Sequence, residues 1–382
     1  MAGMNEFTVR LTTSFGLESI LKKEANRLGY APVKTEDGSV FVKGGYEDIL
    51  RLDLSLRTAN RVLIQVAEGK ASSFDELYDL VYSIDWKEHL PKDAAFSVEK
   101  ITSVSSALFS RSDCQAIIKK AAVEKLKKQY AAGAISETGP YYPLIARIKN
   151  DVCSIYLNAS GEPLNKRGYR LNKLKAPISE TLAAGIVLLS GYTGKREFAD
   201  IMCGSGTIAI EAAMIASDMA PGLNRRFSVD DWHVVDTNRS KEIRERARDM
   251  IHRPDYRILA SDIDRNAVRT SISNAKRCGT DSFIAFQKAD MRDFRSRAKF
   301  GTIVTNPPYG ERLSDRREAE ELYKDLRNVF DSLTGWQMSI ITANPEFQRC
   351  FGKKADRNRK LYNGNMLTYL YSYNENTGEK YG

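Results

Sequence analysis

The sequence is poor in the side chains that most often build metal and redox centres. It has three histidines (His89, His233, His252), and its five cysteines (Cys114, Cys153, Cys203, Cys278, Cys350) include no C-x-x-C pair. No structural zinc site is expected at such spacing, and scattered thiols suit a reducing, cytoplasmic compartment. Long apolar runs are also missing: nothing approaches the roughly 18–20 residues that a membrane span needs. Residues 1–11 lack a basic stretch followed by an apolar one, so neither secretion nor membrane insertion is expected. Internal repeats and low-complexity segments are absent too.

What is present describes a folded chain. Its 382 residues are 42% hydrophobic and 28% charged, which predicts two or three folding units. Lys plus Arg (58) exceed Asp plus Glu (49), giving a formal charge of +9. That balance favours a polyanionic partner, although the excess is spread along the chain.

Phe7, Val9 and Leu11 alternate as a strand, Leu17, Ile20, Leu21, Ala25 and Leu28 repeat at helical spacing, and Val40 and Val42 mark another strand. A helix through Leu77, Leu80 and Val81 and a strand at Phe96 and Val98 lead to an amphipathic helix with Ile117, Ile118, Ala121, Ala122 and Leu126 on one face. Its polar face carries Lys119, Lys120, Lys127 and Lys128, either a phosphate-binding surface or a solvated helix face. Leu144 to Leu157 read as a hairpin turning at Asn150 and Asp151. Leu164 to Lys175, with Lys166, Arg167 and Arg170, reads as a surface connector or an RNA-facing strip. Beyond Pro177, strands at Glu197–Cys203, Arg257–Ser261, Phe283–Gln287, Thr302–Thr305 and Met338–Thr342 alternate with helices. This is the pattern of a doubly wound, mainly parallel α/β sheet that binds ligands beyond its carboxyl ends.

Four strand ends carry chemistry. Asp200-Ile201-Met202-Cys203-Gly204-Ser205-Gly206-Thr207 joins a buried strand to a helix, with glycines that let a ligand approach the backbone. It also resembles an ordinary tight turn, or a dinucleotide loop lacking its third glycine, since position 209 is alanine. Asp262 ends the next strand and suits a ribose diol, with a helix cap as the alternative. Asp290 ends the third strand. The fourth runs into Asn306-Pro307-Pro308-Tyr309-Gly310, where consecutive prolines stiffen a turn whose carbonyl oxygens stay available. The Asn306 amide oxygen and the Pro307 carbonyl can hold both hydrogens of an exocyclic amine while Tyr309 stacks on its ring.

This set resembles class I S-adenosylmethionine-dependent methyltransferases that modify exocyclic amines of bases. The resemblance implies that Asp200, Cys203, Gly204, Ser205, Gly206 and Thr207 surround the methionine part of S-adenosyl-L-methionine, Asp262 its ribose and Asp290 its adenine. Asn306, also beside the cofactor, then acts with Pro307, Pro308 and Tyr309 on the target base, leaving S-adenosyl-L-homocysteine. Ser110 to Gln115, Lys166-Arg167-Gly168-Tyr169-Arg170, Ala176-Pro177-Ile178, Ala220-Pro221-Gly222 and Asn306 to Leu313 are similar to bacterial THUMP methyltransferases of the large-subunit ribosomal RNA guanine-N2 type. The fold expected is a Rossmann-like class I methyltransferase domain (164–382) preceded by an α+β region, a ferredoxin-like lead-in (1–66) and an RNA-binding THUMP domain (67–163). The partner expected is RNA, 23S rRNA before tRNA, with no membrane and no metal. Lys119, Lys120, Lys127, Lys128, Arg167, Arg170, Arg225 and Arg226 are candidates to touch it. Adenine-N6 methylation and a non-enzymatic role in ribosome assembly are the competing readings.

Overall fold

Two seven-stranded sheets organise the chain in the computed structural model, which describes residues 6–170, 178–308 and 313–377. The first is built from β1 (Phe7–Thr13), α1 (Glu18–Arg27), β2 (Lys34–Glu36), β3 (Ser39–Gly44), α2 (Tyr46–Ser55), β4 (Ala59–Lys70), α3 (Phe74–Ser83), β5 (Ala95–Val104), α4 (Arg111–Gln129), β6 (Tyr141–Lys149) and β7 (Val152–Asn158). Its strand order is β2-β3-β1-β4-β7-β6-β5. Alternation decides the buried face of β1, where Val9 and Leu11 lie fully inside. The β6–β7 hairpin turns through Asn150 and Asp151, both at positive φ, the left-handed conformation that Asn and Asp tolerate best.

β4 carries more of this half than any other strand. Its first part pairs with β1 (Val9 opposite Ile64) and its second with β7 (Lys70 opposite Val152), the two ladders overlapping at Leu63 and Ile64 before a bulge at Gln65–Ala67 in the second. One continuous sheet results, and the boundary expected between residues 66 and 67 falls inside it. Neither β4 nor α2 is foreseen by periodicity: β4 is buried only at Ala59 and Val62 to Ile64 and shows no alternation, and α2 is buried at Ile49, Leu50 and Leu52 to Leu54.

The second sheet follows from α5 (Glu180–Leu189), β8 (Glu197–Asp200), α6 (Thr207–Ala216), α7 (Thr237–Asp249), β9 (Ile258–Asp262), α8 (Arg265–Cys278), β10 (Ile284–Lys288), β11 (Gly301–Thr305), α9 (Leu313–Asp331), β12 (Trp336–Thr342), α10 (Phe347–Phe351), β13 (Arg357–Asn363) and β14 (Met366–Tyr373). The order is β10-β9-β8-β11-β12-β14-β13. β8 to β12 run parallel, whereas β14 is antiparallel to both β12 and β13. The expected doubly wound sheet is therefore present, with an antiparallel edge that the sequence reading did not anticipate. β8 stops at Asp200 rather than Cys203, because the chain turns there to reach Gly204.

One expectation about a connection is corrected. The described part of the supposed surface connector is pinned to the interior by alternate side chains: Leu164, Arg167 and Tyr169 are each no more than 3% exposed, while Lys166 and Gly168 stay on the surface. Lys173, Lys175, Ala176 and Pro177 lie outside the described residues. The insertion between α6 and β9 packs on the N-terminal half, where Phe227, Val229, Trp232 and Ile243 join its core. Trp232 stacks on Tyr142 with centroids 4.8 Å apart and donates to the Tyr141 carbonyl at 3.1 Å. The Gly222 amide bonds to the Leu54 carbonyl at 2.9 Å, and a Cβ at Gly222 would lie 2.8 Å from the Leu54 Cα.

Candidate active site

β9, β8 and β11 are neighbours in the sheet and end at the same edge, so the loops after them converge where an open α/β sheet binds ligands. Asp200 ends β8 and is 1% exposed. Its Oδ1 accepts from the Thr305 hydroxyl across the β8–β11 boundary at 2.9 Å, and from the Met202 amide at 3.4 Å. Its Oδ2, also buried, has no hydrogen-bond partner among the described residues. Removal from water pushes this carboxyl up to about 7, against the smaller opposing pull of the Thr305 and Met202 bonds. A buried acceptor in that condition suits a cationic donor brought by a ligand.

The loop after Asp200 is held from several sides. Gly204 (φ +51°) donates its amide to Asp262 Oδ2 at 2.9 Å, and the Cys203 amide bonds to the Ser261 carbonyl at 2.9 Å. Asn274 of α8 donates to the Ser205 carbonyl at 2.9 Å, while the Ser205 and Thr207 hydroxyls lie 3.1 Å apart. A Cβ at Gly206 (φ +81°) would lie 2.7 Å from the Ser271 Cβ, so glycine there lets α6 start against α8. A Cβ at Gly204 would meet nothing within 4 Å: that face of the loop looks onto open space. Cys203 is buried and desolvation pushes its thiol up, so it stays protonated and carries no nucleophile.

Asp262 is not the cap of α8. Asp264 takes that part, its Oδ1 accepting from the Asn266 amide at 2.8 Å. Asp262 instead receives the Gly204 amide on one oxygen and the Asp264 amide, at 2.9 Å, on the other. Each oxygen keeps a lone pair for a further donor such as a diol. Asp290 caps a short 3-10 turn and pairs with Arg292 at 3.0 Å, which also reaches Asp325 of α9 at 2.7 Å.

Asn306 is half-buried, Pro307 buried and Pro308 exposed directly after β11. The Pro308 carbonyl accepts from the Tyr323 hydroxyl of α9 at 3.3 Å, and that hydroxyl lies 3.3 Å from Thr342 at the end of β12. Tyr309 lies outside the described residues. Sequence reasoning missed Thr305, Tyr323 and Thr342. Tyr323 could have been found, because Ala319, Tyr323, Leu326 and Phe330 recur at helical spacing and all are buried, placing the hydroxyl on the inward face of α9.

The basic residues offered as RNA contacts divide in two. Arg167 is corrected outright: it is buried against Glu211 and donates to the Arg57 and Leu164 carbonyls at 2.6 and 2.8 Å. Arg170 pairs with Glu180 at 3.0 Å and donates to the Ile178 carbonyl. Arg225 donates to the Glu162, Pro163 and Lys166 carbonyls. Lys119 bonds to the Phe96 carbonyl and to Glu137, 3.6 Å above the Phe96 ring. These three hold the fold together. Lys120, Lys128 and Arg226 are exposed and Lys127 half-exposed, with Arg226 paired to Asp231.

Comparison with known proteins bears on this geometry. Residues 167–371 match a family described as RMKL-like, methyltransferase domain; residues 8–63 match an RlmL ferredoxin-like domain and residues 71–158 a THUMP domain. The chain is 41% identical over 377 residues to the Bacillus subtilis (strain 168) protein named "Putative RNA methyltransferase YpsC", covering 97% of this chain and 96% of that one. It is 33% identical to a protein of Syntrophotalea carbinolica named "Ribosomal RNA large subunit methyltransferase K/L", over 95% of this chain and 53% of that one, so it spans about half of the latter. The crystal structure of SMU.472, complexed with SAH, is similar with a TM-score of 0.92 and 35% identity, covering 99% of each chain.

Proposed function

Because the chain belongs to the RMKL-like methyltransferase family, with an RlmL ferredoxin-like domain and a THUMP domain before its methyltransferase domain, we propose that it methylates the exocyclic N2 amine of a guanine in large-subunit ribosomal RNA. The observation that carries the reading is the bond from Thr305 to Asp200, which joins the glycine loop to the strand that ends in Asn306-Pro307-Pro308. A cofactor cradle and an amine-gripping turn thereby share one edge of the sheet. The ribosomal assignment is supported by the similarity to the K/L proteins.

When bound, S-adenosyl-L-methionine supplies a methyl carbon made electrophilic by a sulfonium. The residues fit it: Asp200 Oδ2 can accept from its ammonium, Asp262 from its ribose, and the open space before Gly204 admits it. Asn306 and the Pro307 carbonyl act on the substrate amine. That nitrogen is a poor nucleophile because its lone pair is delocalised into the ring. Two acceptors fixed on a stiff turn favour the geometry in which the lone pair is directed at the methyl carbon, and they stabilise the positive charge that grows on the nitrogen. The alkylated amine is acidic enough to lose its proton to water, so no dedicated base is required. A paired guanine cannot reach this edge and has to be unpaired or flipped, at a cost of about a few kcal/mol.

Deleting the gene and mapping methylated nucleosides in ribosomal and transfer RNA by mass spectrometry tests the reading. The expected result is loss of one N2-methylguanosine from large-subunit rRNA. Loss from tRNA would move the substrate, loss of a methyladenosine would overturn the choice of base, and no loss would overturn the reading.

A further inference from the structure

The edge strand β13 is the most basic exposed stretch of the catalytic sheet. Arg357, Arg359 and Lys360 are all exposed, and its seven residues include no acid. β14 lies between it and β12, level at Thr342, Tyr369 and Lys360. The turn after β13 therefore extends past the same edge from which Asn306 and Pro307 project, three strand spacings or roughly 14 Å along the sheet from β11. Beside that turn, Tyr362 meets Phe15 of the N-terminal half edge to face, centroids 6.0 Å apart. These rings are 37% and 50% exposed, and with Ser14 and Gly364 they line an open cavity of about 450 Å³.

The pair is rigidly mounted. Arg359 donates to the Gly16 carbonyl at 2.8 Å and to the Ser19 hydroxyl at 3.1 Å, while the Gly16 amide donates to Glu18 at 2.9 Å. Gly16 has φ +92°, and a Cβ there would lie 2.7 Å from the Lys360 carbonyl, so the loop seats itself on the β13 backbone. Strand alternation places Lys360 and Tyr362 on one face, about 7 Å apart. A cation for a phosphate thus stands next to an aromatic face for a base.

We propose that Phe15 and Tyr362 form a stacking site for an unpaired base of the RNA substrate near the target guanine, with Lys360 on the adjoining phosphate. The site rests on the RNA-methylating reading above. Single-stranded RNA is held in this way, by rings on which bases stack beside cations that follow the backbone. Phe15 belongs to a surface loop and Tyr362 to the edge strand β13, and both rings stand exposed, so removing them leaves the cores intact. The site also joins the two halves of the molecule, so a bound base touches both.

The test uses the full chain and its Phe15→Ala, Tyr362→Ala and Tyr362→Phe variants. Affinity for a labelled, unstructured adenosine–uridine RNA oligomer is read by fluorescence anisotropy, cofactor affinity by calorimetry, and methyl incorporation on a large-subunit rRNA transcript. Each alanine variant is expected to weaken oligomer binding about tenfold and to raise KM for the transcript while cofactor affinity and kcat hold; Tyr362→Phe retains binding. Lys360→Ala is expected to lower the salt dependence of oligomer binding. Alanine variants that bind the oligomer as tightly as the unaltered protein would overturn the stacking site, whatever the transcript result. An unaltered protein that methylates no RNA, yet loses oligomer binding with Phe15→Ala, would overturn the functional reading alone.

Discussion

Two buried carboxylates show how differently the cleft and the junction between the halves use charge. Glu211, on α6 and fully buried, is matched on both oxygens: Arg167 approaches them at 3.4 and 3.5 Å and the Tyr169 hydroxyl at 3.2 Å. Asp200, earlier in the chain at the end of β8, has no cation and leaves one oxygen without a partner among the described residues. At the junction, Glu211 is satisfied within the chain. The cleft leaves an acceptor open where a ligand can bind. A buried carboxylate matched by a cation stabilises the fold it sits in, whereas one with an open oxygen at a sheet edge suits a ligand's donor.

Variants on the two sides should therefore fail in different ways. Asn306→Ala should lower kcat about a thousand-fold with cofactor affinity within a few-fold and an unchanged urea midpoint; a matching loss of cofactor binding would merge the two roles that the cleft keeps apart. Arg167→Ala should destabilise by about 3 kcal/mol, because the buried Glu211 loses its cation. Arg167→Met with Glu211→Leu should recover most of that in urea unfolding, and failure to recover would mean that the Arg57 and Leu164 carbonyls, not the carboxylate, are what Arg167 serves.

Asp200 gives the reverse sign. Its folded value of about 7 stands above its ordinary 3.8, so between those limits the folded state holds more protons than the unfolded one. Stability contributed by this group is full below about pH 4, falls as pH rises through 7 and is flat beyond. Asp200→Asn should raise the stability of the cofactor-free protein at pH 8 by about 2 kcal/mol while weakening cofactor binding. For the unaltered protein, cofactor affinity should rise from pH 6 to 8 with proton release on binding, measurable by calorimetry in two buffers. An affinity independent of pH would mean that Asp200 does not meet the ammonium. The smallest effect is expected from Gly206→Ala, which meets Ser271 and a left-handed φ and should cost about 1–2 kcal/mol, whereas Gly204→Ala should act mainly on cofactor affinity.

The cleft was legible in the sequence because each of its parts is contiguous: a strand, a tight turn and a side chain within a few residues. Asp200, Asp262 and Asn306 were placed at strand ends by that logic, and Asp262 was separated from a helix cap only when Asp264 was seen to occupy the cap. The junction was illegible because its partners are remote. Nothing around Lys166-Arg167-Gly168 announces Glu211 or the Arg57 carbonyl, so Arg167, read as surface, turned out to be interior. Trp232 likewise packs on a partner remote in sequence, Tyr142. The antiparallel β13 and β14 escaped because Arg357 to Lys360 are all exposed and show no apolar alternation.

The long β4 has a practical corollary for anyone dividing this molecule. Cutting the chain near its bulge would not release two modules but would tear a continuous ladder, baring fresh edges on each fragment that invite association with other copies. The lead-in and its neighbour are therefore better exchanged, expressed or inherited together than apart, much as a shared wall obliges two rooms to be built at once.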